Sequence, residues 1–124
     1  MKNGLEAFGE ILMTQVRDKA IFHWEKVLHG EMKDKGSKLL FEEFINNLEK
    51  DQQERIVDIT SQVVDTTLHF LLLALEEESL ISVFAKYDDG EPIDIKKLSD
   101  GLPGELYTED GWIMKFSDKR YLQP

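Results

Sequence analysis

Two segments of the sequence each place a carboxylate four residues before a histidine, namely Glu25 with His29 and Asp65 with His69. Side chains four residues apart share one face of an α-helix, so each pair would present an acid beside an imidazole. If the two faces met, these four side chains would form a site for a divalent metal such as zinc, iron or manganese, which imidazole and carboxylate ligands suit. The pattern predicts a small metal-dependent enzyme, with Glu25 as a ligand or a base.

The same pairs also fit a simpler interpretation. Di-iron helical bundles use a glutamate three residues before the histidine and add glutamates from facing helices, a pattern that this sequence lacks. Exposed acid–histidine pairs on a helix need no metal and contribute only a few tenths of a kcal/mol to stability. Neither a phosphate-binding glycine loop, a G-x-S-x-G nucleophile motif nor an H-E-x-x-H zinc motif occurs. We therefore assign no catalytic residue from the sequence, and no cofactor beyond the divalent metal of this alternative.

Acidic residues outnumber basic ones and favour a protein partner. There are 25 aspartates and glutamates against 15 lysines and arginines, which gives a net charge of −10. This charge repels nucleic-acid phosphates and anionic lipid, so neither nucleic acid nor a membrane is expected as a partner. It favours a basic protein instead. The candidate contacts lie at the end of a predicted helix and in a predicted loop, and they are Glu76, Glu77, Glu78, Glu109 and Asp110.

Length and composition are typical of one soluble domain. The chain has 124 residues, 41% of them hydrophobic, and no cysteine. We expect a single domain over residues 1–124, with a helical part at 1–79 and a β part at 80–124. Glutamates interrupt the N-terminal segment, unlike a signal peptide, and the apolar run at 68–75 is shorter than the ~20 residues of a membrane-spanning helix. These features predict a cytoplasmic protein.

Apolar residues recur at three- and four-residue spacing in the N-terminal part and predict three helices, at about 5–29, 38–48 and 52–78. Gly30 is the expected stop of the first helix, and Ser37 is the expected cap of the second. The apolar stripe of the first helix is formed by Leu5, Phe8, Leu12, Val16, Ala20, His23 and Val27.

The third predicted helix begins at a capping box formed by Asp51 and Glu54, and its apolar arc is unusually wide. One part of the arc comprises Ile59, Val63, Phe70 and Ala74, and the other comprises Val57, Val64, Leu68, Leu71 and Leu75. A narrow stripe stays polar and comprises Asp58, Gln62, Asp65, His69 and Glu76. We expect the other elements to pack around this helix. The arc near residues 71–75 also predicts self-association as a homodimer.

After residue 79 the sequence turns to strand-forming residues separated by regular turns. The Asp-Gly pairs of these turns lie at 89–90, 100–101 and 110–111. Their spacing predicts an antiparallel β-meander over about 80–117, in which "ELYT" and "WIMKF" are the last two strands. Trp112 would anchor this sheet on the helices. The segment 93–99 fits either a strand or a short helix capped by Asp94.

The predicted fold class is therefore α+β, with three N-terminal helices packed on a small C-terminal β-meander. For function, the absence of catalytic motifs and the acidic charge favour a non-catalytic protein-interaction module of the inhibitor, immunity or adaptor type that binds a basic partner. The alternative is the metal-dependent enzyme described above.

Overall fold

The N-terminal part of the chain is helical, and the C-terminal part contains a small antiparallel sheet, which confirms the α+β class. The computed structural model describes residues 3–87 and 90–119. Its helices are α1 (Gly4–Ile11), a π-helical segment (Leu12–Arg17), α2 (Asp18–Leu28), α3 (Lys35–Glu43), α4 (Lys50–Glu77) and α5 (Trp112–Phe116), with 3-10 helices at Ile45–Asn47, Ile95–Leu98 and Pro103–Leu106. Its strands are β1 (Phe84–Tyr87) and β2 (Gly90–Asp94).

α1, the π-helical segment and α2 run on as one helix, which matches the first predicted helix. The Asn3 side chain begins it by accepting a hydrogen bond from the Glu6 amide at 2.8 Å. Gly30 ends it with a φ of +72°, a conformation that glycine adopts without steric cost. The predicted stop at Gly30 is thus confirmed.

The π-helical segment changes which face of this helix is buried. A π turn closes its hydrogen bonds over five residues instead of four, so it adds one residue to the turn and shifts the following stripe along the chain. The predicted stripe continued through Val16 and His23, but both side chains are exposed. Arg17, which lies outside the predicted stripe, is buried instead. A strict 3.6-residue period could not predict this shift.

The second and third helices both begin earlier than predicted. In α3 the cap is Asp34 and not Ser37, because the Asp34 carboxylate accepts a hydrogen bond from the Ser37 amide at 3.0 Å. That hydrogen bond lowers the pKa of Asp34 below its ordinary value. α4 begins at Lys50, and the side chain of Gln52 accepts a hydrogen bond from the Glu49 amide at 3.0 Å. This cap lies two residues before the predicted capping box.

β1 and β2 pair in antiparallel fashion, with Phe84 opposite Asp94 and Ala85 opposite Ile93. Asp89 of the predicted Asp-Gly turn between them lies outside the described residues. The Asp94 side chain accepts a hydrogen bond from the Lys96 amide at 3.0 Å and caps the 3-10 helix that follows β2. The segment 93–99 therefore combines both predicted alternatives, since a strand end leads into a short helix.

The rest of the predicted meander is wrong. "ELYT" begins in the 3-10 helix Pro103–Leu106 and continues as a bend, and "WIMKF" forms α5. A short apolar run fits both the two-residue period of a strand and the 3.6-residue period of a helix. Here a helical turn buries Trp112 and Ile113 together. The Trp112 ring packs edge-to-face on Phe8, with ring centroids 5.8 Å apart. It also covers Gly9 so closely that a Cβ atom there would collide with it. Trp112 does anchor the C-terminal part on the helices, but from a helix.

The main core lies between α1, α4 and the C-terminal segments. Its buried members are Leu5, Leu12, Met13, Leu68, Leu72, Ile95, Leu102, Leu106, Trp112 and Ile113. A second, smaller cluster joins α2 to the start of α4 and contains Val27, Leu28 and Ile45. α4 thus contributes to the core along one side only, and this leaves its opposite side free of core contacts.

Candidate functional site

The first predicted acid–histidine pair lies at the end of α2, and its members do not share a site. The Glu25 carboxylate is 3.1 Å from the Lys119 ammonium group, with which it forms an ion pair. His29 follows the last residue of α2 and is exposed. The carboxylate that the metal hypothesis requires is therefore already neutralised by a cation.

The second predicted pair lies on α4 and faces the domain. The Asp65 carboxylate is buried against Arg17. The His69 Nδ1 atom lies 3.1 Å from the Tyr107 hydroxyl. Burial, reinforced by the negative charge of Asp65, raises the pKa of Tyr107 above its ordinary value of 10.0. Within residues 3–87 and 90–119, no group of three histidine or carboxylate side chains is placed to hold a metal ion. The structure does not bring the four predicted ligands together.

Arg17 is the centre of the most extensive buried polar network in the described chain. Its side chain is 0% exposed. The guanidinium group binds Asp65 through two hydrogen bonds, Nε to Oδ1 at 2.6 Å and Nη2 to Oδ2 at 3.2 Å. Its Nη1 atom donates to the Ser117 hydroxyl at 2.7 Å and to the Lys119 carbonyl oxygen at 2.6 Å. This fork geometry is the one that arginine offers to a carboxylate, and here it ties α4 to the C-terminal segment.

Asp18 extends this network to the residues after α5. The Ser117 hydroxyl donates to one Asp18 carboxylate oxygen, and the Asp118 amide donates to the other at 2.8 Å. Among the described residues, no buried side-chain nitrogen or oxygen lacks a hydrogen-bond partner. The network is therefore a closed structural clasp. It offers no unpaired acid, base or nucleophile to a substrate.

The acidic residues predicted to bind a partner differ in their surroundings. The Glu76 carboxylate accepts a hydrogen bond from the Leu102 amide at 2.8 Å, so it ties the end of α4 to the residue that precedes the 3-10 helix Pro103–Leu106. Its role is structural, which explains one of the three carboxylates that oppose the α4 dipole. The remaining four are exposed, and they are Glu77, Glu78, Glu109 and Asp110.

Three residues of the polar stripe of α4 face inward, Asp58 and Gln62 are exposed, and part of the apolar arc faces outward. Asp65, His69 and Glu76 have partners at Arg17, Tyr107 and the Leu102 amide, as described above. By contrast, Ile59, Val63 and Phe70 are 60%, 59% and 60% exposed. The prediction that the other elements pack around this helix is therefore wrong for this side of α4. Four large apolar side chains, Ile59, Val63, Phe70 and Leu71, are exposed along one side of α4, and they leave roughly 400 Å² of apolar surface in water, which lies in the range of interaction patches.

We call this side of α4 the outer face and define it by its exposed residues between positions 59 and 74. They are Ile59, Gln62, Val63, Thr66, Thr67, Phe70, Leu71 and Ala74. None of them carries a charge, although 32% of the chain is charged. The wide apolar arc of the sequence predicted self-association near residues 71–75, which stays a prediction. Within that stretch Leu72 is buried.

By length and composition alone, α4 qualifies as a helix that could cross a membrane. Most of the apolar stretch that gives it this property is not buried in the fold. The sequence prediction counted only the shorter run at 68–75. In the folded chain, Leu68 and Leu72 lie in the core and Asp65 lies in the buried clasp. α4 is therefore an integral element of a small domain of the soluble type.

A cleft of about 490 Å³ lies between the end of α2 and the start of α4. Its lining includes His29, Lys50 and Glu54. The Gln53 side chain at this cleft donates to the carbonyl oxygens of Ile45 and Leu48, at 3.0 and 3.3 Å, and so holds the turn before α4. Gln53 thus has a structural role at this cleft.

Comparisons of the chain with models of known protein families, with curated proteins and with solved structures find no match in any of the three.

Proposed function

We propose that this chain is a non-catalytic, cytoplasmic protein-interaction module whose docking surface is the outer face of α4. The observation that carries this proposal is the exposure of Ile59, Val63 and Phe70 on a helix whose Asp65 side chain is buried. An apolar, uncharged strip on an otherwise strongly charged domain is the usual signature of a surface that another protein covers. Its position on a rigid 28-residue helix preorganises it for docking.

Other parts of the described chain support binding over catalysis. The carboxylates of the predicted metal site are in ion pairs, and the buried clasp around Arg17 is fully paired. A basic partner that contacts Glu77, Glu78, Glu109 and Asp110 stays a prediction. These residues are exposed and lie outside the outer face. Reversal of charge at Glu109 and Asp110 should leave stability nearly unchanged, and loss of a binding partner in that variant would establish the acidic contact.

Photo-crosslinking tests the proposed docking surface directly. A benzophenone amino acid at Phe70, in the chain expressed in its native cells, should give discrete protein adducts. The matched control carries the same group at Leu80, which is 91% exposed and lies outside α4. Adducts at Phe70 that are absent at Leu80 support the proposal. If Phe70 yields no protein adduct, or the same adducts as Leu80, the outer face is not a docking surface.

A further inference from the structure

The outer face has the spacing of a helix–helix seam. Alternating steps of three and four residues, the heptad pattern of packed helices, connect Ile56, Ile59, Val63, Thr66, Phe70 and Leu73. Ile59, Val63 and Phe70 are the most exposed large side chains of α4, and they lie on this seam. The small residues Thr67 and Ala74 flank it and would let a second helix approach closely. The surface is therefore suited to another α-helix.

We propose that this helix is the α4 of a second copy of the chain, so that two copies form a symmetric dimer through their outer faces. The inference rests on the proposed function and names the partner. In a twofold interface the same patch must be complementary to itself. An uncharged apolar strip meets this condition because it places no charge opposite a like charge.

Charge distinguishes a second copy from other occupants of this face. A basic protein would find no carboxylate among the exposed residues between 59 and 74, and so no electrostatic complement there. A helix that lies on a lipid surface usually carries lysine and arginine along its polar side. The polar side of α4 instead contains the inward-facing Asp65, His69 and Glu76. The chain's net charge of −10 also repels anionic lipid.

The size of the outer face sets the expected affinity. Two copies would bury roughly 800 Å² from their four large apolar side chains each, and flanking residues bring the total to about 1,000–1,200 Å², the low end of specific interfaces. Interfaces of this size support reversible association, so we expect a dissociation constant on the order of 10 μM. Each copy carries ten net negative charges. Their repulsion is screened by salt, so the dimer should tighten as ionic strength rises, whereas a complex with a basic partner would weaken.

Sedimentation equilibrium of the full chain, from about 1 to about 200 μM, tests the proposal. The wild type should change from monomer to dimer within this range. Val63→Asp places two carboxylates in the seam and should weaken the dimer by at least about 100-fold. The control Leu80→Asp makes the same chemical change at a more exposed site outside α4 and should leave the dimer intact. Circular dichroism verifies that both variants keep the wild-type fold. A wild type that stays monomeric throughout, or equal weakening by both substitutions, overturns the inference.

A cysteine crosslink locates the contact. The native chain has no cysteine, so Thr66→Cys introduces a single thiol at the middle of the seam. Oxidation should give a disulfide-linked dimer in high yield, while a thiol at Leu80 should give little. The Phe70 photo-crosslink separates this inference from the proposed function. An adduct of twice the chain mass supports the dimer. An adduct with a different protein, and none with a second copy, overturns the dimer but still supports the outer face as a docking surface. If the chain floats with phosphatidylcholine–phosphatidylglycerol vesicles and Phe70 gives no protein adduct, both the dimer and the proposed protein-docking surface are overturned.

Discussion

The buried clasp allows a quantitative test of what holds α4 against the C-terminal segment. Asp65→Ala removes both carboxylate oxygens from Arg17, which is 0% exposed and has no access to water. Ser117 and the Lys119 carbonyl still accept hydrogen bonds from the guanidinium group. The Asp18 carboxylate, 3.8 Å from Nη1, remains as a longer ion-pair contact. Removal of one partner from a buried ion pair costs about 3–5 kcal/mol of unfolding free energy, and the Asp18 contact places the expected cost at the lower end of that range. A domain of this size has about 5–15 kcal/mol in total, so the loss is a large fraction.

The exposed ion pair of Lys115 with Glu6 is the matched control within the same chain. Its N–O distance is 3.5 Å, and both side chains are more than one third exposed. Pairs of this type contribute about 0.2–1 kcal/mol, so Glu6→Ala should change the unfolding free energy very little. Urea unfolding, followed by far-ultraviolet circular dichroism, measures the change in unfolding free energy of both variants. The dependence of this free energy on urea concentration should stay as in the wild type.

A double-mutant cycle with Arg17→Met isolates the interaction between the two charges. Methionine fills much of the arginine volume without charge, so the double variant Arg17→Met with Asp65→Ala should be more stable than the sum of the single changes predicts. We expect a coupling free energy of at least about 2 kcal/mol. A cost of Asp65→Ala below about 1 kcal/mol, or one no larger than that of Glu6→Ala, would refute the reasoning that a desolvated charge holds this junction.

Three further outcomes follow from the described contacts. Ser117→Ala removes hydrogen bonds to Arg17 and Asp18 at a fully buried position, and should lower the unfolding free energy by about 1–3 kcal/mol in urea titrations; a silent change would show that the clasp relaxes without it. The raised pKa of Tyr107 means that the folded state holds this phenolic proton more tightly than the unfolded state. The associated stability is therefore present below about pH 10 and is lost as pH rises further. Ultraviolet phenolate titration should show that the tyrosine with a raised pKa is missing in Tyr107→Phe. Zinc, iron or manganese should not raise the melting temperature, because Glu25 and Asp65 are already paired with cations; a shift that disappears in His69→Ala would restore the metal hypothesis.

The number and order of the helices could be predicted from the sequence because their periodic segments are long. The apolar pattern predicted all three N-terminal helices, and only their ends differ by a few residues. The C-terminal part could not be predicted in the same way. α5 has five residues, too few to distinguish a period of two from one of 3.6, and its tertiary contacts with Phe8 and Gly9 decide its conformation.

The burial of Arg17 could not be predicted because two non-local facts determine it. A π-helical turn shifts the buried stripe by one residue, and the carboxylate that pairs with Arg17 lies 48 residues further along the chain. Of the four candidate metal ligands, three have partners from distant segments, and spacing within one helix contains no information about these partners. Asp65 and His69 do lie four residues apart within α4, whereas His29 follows the end of α2, and spacing could not indicate what either residue pair meets.

The orientation of α4 connects its fold to its proposed role. A helix with an apolar arc and a polar stripe ordinarily buries the arc, because burial of about 400 Å² of apolar surface is worth about 10 kcal/mol at 25 cal/mol per Å². Here Asp65, His69 and Glu76 of the polar stripe lie inside instead, and the Asp65 carboxylate binds Arg17. The clasp fixes the rotation of α4 about its own axis and so directs Ile59, Val63 and Phe70 outward. The surface that we propose for dimerisation is thus a direct consequence of the buried ion pair, and both depend on the same rotation of one helix.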